Sequence, residues 1–157
     1  MNKLFSALAL FVMVLTISCG ALTKAAIKND GKQMPPYFGN TPSTLLVIRQ
    51  NRNMDEKPIE KVFQKYYTGP YEIIDEGELS NEKYSDTSKY RYYFNMNHES
   101  HSRYTASGSS NIAVWGFSVT DRSTNQTFYS KMASLYKKVL EKYVETLNEV
   151  RIKNETK

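Results

Sequence analysis

Nine apolar residues, Met132, Leu135, Tyr136, Val139, Leu140, Tyr143, Val144, Leu147 and Val150, follow one another at spacings of 3, 1, 3, 1, 3, 1, 3 and 3. Steps that alternate between three and one keep every member on one side of a helix with 3.6 residues per turn, so the run predicts an amphipathic helix of about six turns. Lys131, Lys137, Lys138, Lys142, Glu141, Glu145 and Glu149 fall on its wet side, Ser130 stands where an N-capping hydroxyl belongs, and the chain from Ile152 onward is expected to fray. A stripe this long must be covered. Fewer than three heptads give little support to a coiled coil, so the expected cover is a sheet supplied by the rest of the chain.

The rest of the chain supplies the strands. Thr44–Ile48 is short, apolar and β-branched, and reads as a buried strand. Ile59, Val62, Phe63, Tyr66 and Tyr67 then lie on one face of a helix that Pro58 suits at its start and Gly69-Pro70 stops. Three further strands are expected at 71–79, 89–97 and 111–121, with a short return at 127–129. In the 89–97 segment Tyr90, Tyr92, Phe94 and Met96 should face the helices, leaving Arg91, Tyr93 and Asn95 outward. The order β-α-β-β-β-α predicts an α+β two-layer sandwich, a four- or five-stranded mixed sheet with two helices on one face, over residues 44–153, followed by a frayed tail at 154–157.

Composition narrows the classes. With 40% hydrophobic and 24% charged residues, the 157-residue chain is neither a disordered polymer nor a multi-pass membrane protein. Lys+Arg 21 against Asp+Glu 16 is a mild basic excess, well short of a nucleic-acid-binding balance. The single cysteine, Cys19, rules out an intramolecular disulfide and a cysteine-based zinc site.

That cysteine closes a distinctive N-terminus. Lys3 precedes an uncharged, mostly apolar run from Leu4 to Ile17, too short to span a bilayer about 30 Å thick but suited to a signal-peptide core. Leu15-Thr16-Ile17-Ser18-Cys19-Gly20 resembles a relaxed form of the lipobox of bacterial lipoproteins, with Ser18 before the cysteine and Leu15 one step further out than usual. The resemblance implies removal of residues 1–18 and acylation of Cys19, whose lipid chains would hold the protein in a membrane. By the same resemblance, Gly20 in place of an Asp implies the outer membrane, and the lack of an acidic run after Cys19 implies the periplasmic face. Residues 19–43, with Gly31, Pro35, Pro36, Gly39 and Pro42, are expected to be a tether. The element order is also similar to that of small Gram-negative envelope lipoproteins, a likeness of architecture alone.

The residues that carry chemistry are sparse. His98 and His101 are three apart, after a strand and before Ser102–Ser110, a stretch that reads as a loop, with no third metal ligand in view. Ser107-Gly108-Ser109-Ser110 lacks the frame of a nucleophile elbow, and Asp75, Glu76 and Glu78 read as an exposed strand edge. No catalytic residue, metal or cofactor is expected. Tyrosine is abundant instead, with eight of 12 between Tyr66 and Tyr104. An aromatic beside an arginine on a rigid sheet is the composition of an interface anchor, which marks Arg91, Tyr93, Arg103 and Tyr104 as candidate partner-binding residues at one end of the molecule. The expected function is non-enzymatic: an envelope lipoprotein that binds another envelope component, most simply a protein, and no nucleic acid. A glycan- or lipid-binding module and an enzyme without a recognisable motif are the alternatives.

Overall fold

Leu45–Arg49 (β1) is apolar on both sides, so it needs cover on both faces and lies inside the sheet. In the computed structural model, which describes residues 32–50, 56–105 and 108–156, the helix α1 (Glu56–Tyr66) leads from β1 back to β2 (Tyr71–Asp75). β1 and β2 run parallel, from Leu45 opposite Tyr71 to Arg49 opposite Asp75. β3 (Tyr92–Thr105) joins the other side of β1, parallel to it at Leu46 and Val47. β4 (Gly108–Asp121) and β5 (Gln126–Tyr129) follow in antiparallel succession, and the helix α2 (Tyr136–Glu155) closes the chain. The sheet order is β2-β1-β3-β4-β5. The fold is α+β, a five-stranded mixed sheet with two helices, as the residue pattern predicts.

The predicted stripes form the main core. Ile59, Val62 and Phe63 of α1 and Val139, Leu140, Tyr143, Val144, Leu147 and Val150 of α2 pack on the face of the sheet that carries Tyr92, Phe94, Met96, Phe117 and Val119. Phe94 sits at its centre, edge-on to Phe63 at 5.1 Å and stacked on Phe117 at 5.8 Å. Tyr143 is fully buried, and its hydroxyl donates to the Gln33 carbonyl at 3.1 Å. Burial pushes the Tyr143 phenol well above its ordinary pKa.

The opposite face is not bare. Leu46, Ile48 and Ile74 meet Tyr84 and Tyr90, which arrive on two 3-10 turns (Glu76–Ser80 and Glu82–Tyr84) and the loop after them. Tyr90 therefore faces away from the helices, contrary to the strand alternation expected from residue 89 onward. The cause is that β3 begins only at Tyr92. Glu72 ties this layer down, accepting from Lys83 at 2.8 Å, Tyr90 at 3.1 Å and Tyr84 at 3.3 Å. The Lys83 hydrogen bond is the chief reason its carboxyl lies below the usual glutamate range. The second strand also stops short of Leu79, because Glu78 folds back to accept the Asp75 backbone N–H at 2.8 Å.

Both ends of the folded unit differ from expectation. Residues 32–43, expected as tether, carry Met34 and Phe38 into the main core, where Phe38 meets Tyr92 edge-on at 4.9 Å. The helix α2 starts at Tyr136 rather than near Met132, and Ser130 is not its cap. Ser130 instead accepts the Phe117 N–H at 2.8 Å, and Ala133 bridges Trp115, which holds 130–133 extended along β4. Leu135, counted into the stripe, is 61% exposed. The end of α2 does not fray at Ile152. Arg151 passes close against Gly39 and Gly69 and donates to Thr68 Oγ1 and Glu155 Oε1, each at 2.6 Å. A Cβ on Gly39 would lie 2.7 Å from the Arg151 Cα, and its φ of 92° is itself a conformation that favours glycine.

Candidate interaction site on the hairpin arm

β3 and β4 each run for 14 residues, far longer than the four or five residues of their neighbours in the sheet. β1 pairs with β3 only at Tyr93 and Phe94, after which the Gln50 amide covers the Met96 carbonyl at 2.6 Å. On the other side, β5 and Ala133 cover β4 from Asp121 back to Trp115. Beyond those limits the two strands pair with each other alone among the described residues, from Glu99 opposite Val114 to Thr105 opposite Gly108. This is a two-stranded arm of seven residues per strand, about 23 Å long.

The arm replaces the loop expected between Ser102 and Ser110. Its residues are small and polar (Ser100, Ser102, Ser109, Ser110, Asn111), which reads as loop by local propensity, and pairing in register overrides that preference. Being three apart on a strand, His98 and His101 project to opposite faces and cannot share an ion. His98 packs on Trp115 at 4.2 Å between ring centres, and Trp115 on Tyr136 at 4.9 Å, so the arm is rooted in an aromatic stack. His101 Nε2 lies 3.2 Å from Glu99 Oε2, both largely exposed. Among the described residues no group of three or more His, Cys, Asp or Glu could hold a metal ion.

The four candidate partner residues do not form one patch. Arg91 is committed to Asp121, donating from Nε at 3.1 Å and from Nη2 at 2.7 Å, with its guanidinium 5.1 Å from the Tyr92 ring centre. Tyr93 is half-buried against the second core. Arg103 and Tyr104 belong to the arm, opposite Ser110 and Ser109 by backbone register, and their side chains lie outside the described part of the structure. Ten residues of strand, about 33 Å, separate Tyr93 from Arg103. The acidic trio separates as well: Asp75 pairs with Arg49 at 2.7 Å, while Glu78 caps its own turn. Cys19 and the rest of residues 1–31 are outside the described residues, within which no helix is long and apolar enough to cross a membrane.

The arm's outer edge is what residue reasoning missed. Trp115 exchanges both backbone hydrogen bonds with Ala133, at 2.8 and 2.9 Å, and the Phe117 carbonyl accepts from Ser130 at 2.7 Å. These odd-numbered residues direct N–H and C=O away from β3. By the alternation of an antiparallel ladder, Ser109, Asn111 and Ala113 direct theirs the same way. Among the described residues no strand lies there. Exposed edges in natural sheets are usually blunted by lysine, proline or a bulge, yet Gly108–Val114 (GSSNIAV) has neither charge nor proline. The missing charges were visible in the sequence. That they line an edge was not.

No family model matches the chain, and no curated protein does. Among solved structures, the PelC dodecamer from Paraburkholderia phytofirmans is similar at 12% identity over 73% of this chain and 93% of that one, with a TM-score of 0.44.

Proposed function

We propose that this chain is a non-enzymatic envelope lipoprotein, anchored through an acylated Cys19, and that its α+β domain binds another envelope protein along the hairpin arm. The observation that supports this reading is the uncharged outer edge of β4 at Ser109, Asn111 and Ala113. A two-stranded ribbon is marginally stable in water by itself, and an incoming extended segment would satisfy the edge while giving the arm a third strand. Main-chain hydrogen bonds would supply affinity, and the side chains of Ile112 and Val114 would contribute specificity.

The test is Ala113→Pro. Proline removes an outward N–H and leaves the ladder to β3 intact, as it does on natural edge strands. A photo-crosslinking residue at Ser110, in intact cells, should yield a discrete protein adduct that the same residue at Lys153 does not. Introducing Ala113→Pro should abolish that adduct while the melting temperature stays within a few degrees. A folded Ala113→Pro protein that keeps the adduct would overturn the reading.

A further inference from the structure

A cleft of about 310 Å³ opens between the two helices, at the lower end of the size range of small-ligand sites. Lys61 and Lys65, one helical turn apart on α1, line one side, and Lys137 of α2 lines the other. Pro58 and the buried Val62 make an apolar base, with Tyr66 beside them. The Lys65 ammonium sits 4.9 Å from the Tyr66 ring centre. Glu141 is the one acid in the lining, one turn from Lys137, so three positive charges meet one negative. All three lysines are exposed at their ends, and none takes part in an ion pair among the described residues.

This composition has a definite complement. Excess positive charge above an apolar floor fits an anion joined directly to hydrocarbon, and lysine is a point-charge ligand for phosphate. The volume admits a head group and the first few methylenes but not a whole lipid, so the remaining chain would stay in a bilayer. We propose that the cleft binds the head of one anionic phospholipid, its phosphate among Lys61, Lys65 and Lys137 and its first methylenes on Pro58 and Val62. The helical face would then lie against the membrane. This site is on the opposite layer from the free sheet edge and does not depend on the arm.

The experiment is a chemical-shift titration of the isotope-labelled full chain with monomeric dihexanoyl phosphatidylglycerol. Matched titrations use dihexanoyl phosphatidylcholine, which has the same chains and no net charge, and inorganic phosphate. The anionic lipid should give saturable shifts at the amides of Lys61, Val62, Lys65 and Lys137. Lys61→Ala with Lys137→Ala should weaken it by about tenfold or more without moving distant resonances. No saturable shift, or equal affinity for the neutral lipid, or equal affinity for phosphate alone, overturns the proposal. Shifts that saturate elsewhere, or that survive the double substitution, overturn it too.

Discussion

The buried side-chain amide of Asn154 donates to the carbonyl oxygen of Phe38 at 2.9 Å, across 116 residues of chain. A second N–H of the same amide reaches the Pro36 carbonyl at 3.0 Å. The last turn of α2 and the segment before β1 are therefore one structural unit. Asn154→Ala would strand two carbonyl groups and should cost about 1–3 kcal/mol in urea unfolding. Asn154→Asp, which turns a carboxylate on those oxygens, should cost at least as much. Lys153→Ala, exposed on the neighbouring position, should stay within about 0.5 kcal/mol.

The Arg91–Asp121 pair predicts a pH dependence. Burial alone raises the Asp121 carboxyl, but hydrogen bonds from Arg91 and Ser123 outweigh it and hold the group below its ordinary 3.8. Because the folded value is depressed, this stabilisation is present above the unfolded carboxylate value and is lost as pH falls through the folded one. Wild-type stability should exceed that of Asp121→Asn by about 1–3 kcal/mol at neutral pH, and the gap should narrow only below about pH 4. Denaturation midpoints across a pH series check this. Parallel curves for the two proteins would remove the pair as the cause.

The helix stripe predicts a strong asymmetry between neighbours. Leu140 has no exposed surface, so Leu140→Asp places an unpaired charge in the core and should cost about 3 kcal/mol or more. Lys138 is exposed, and Lys138→Asp should shift stability by no more than about 0.5 kcal/mol. Comparable melting temperatures for the two would contradict the packing.

The proposed anchor is tested at one residue. Cys19→Ala should abolish incorporation of radiolabelled palmitate and leave the precursor uncleaved, whereas an unmodified N-terminus would label neither protein.

Much of this architecture is legible in the order of residues. Stripes with helical spacing mark α1 and α2, a β-branched run marks β1, and alternation from Tyr92 to Met96 marks the start of β3. In each case, side chains of one segment share a single burial requirement, and periodicity reports that directly.

What the tertiary structure decided are the places where a residue's partner is distant in sequence. Met132 and Leu135 continue the stripe of α2 by spacing, yet Trp115 holds Ala133 extended, and a backbone pairing between two segments has no periodic signature. Met34 and Phe38 look like tether among prolines until α2 supplies Asn154 and Arg151 to dock them. Arg91 and Tyr93 read as an anchor pair, but Asp121 and the second core were already using them. The arm is the extreme case: serines and asparagines with weak strand preference become strand because each faces a register partner. The edge this leaves at Ser109, Asn111 and Ala113 exists because, among the described residues, β5 and Ala133 reach no further along β4 than Trp115. Local sequence dictates which face of a segment must be buried, and only the assembled fold determines which surfaces remain uncovered.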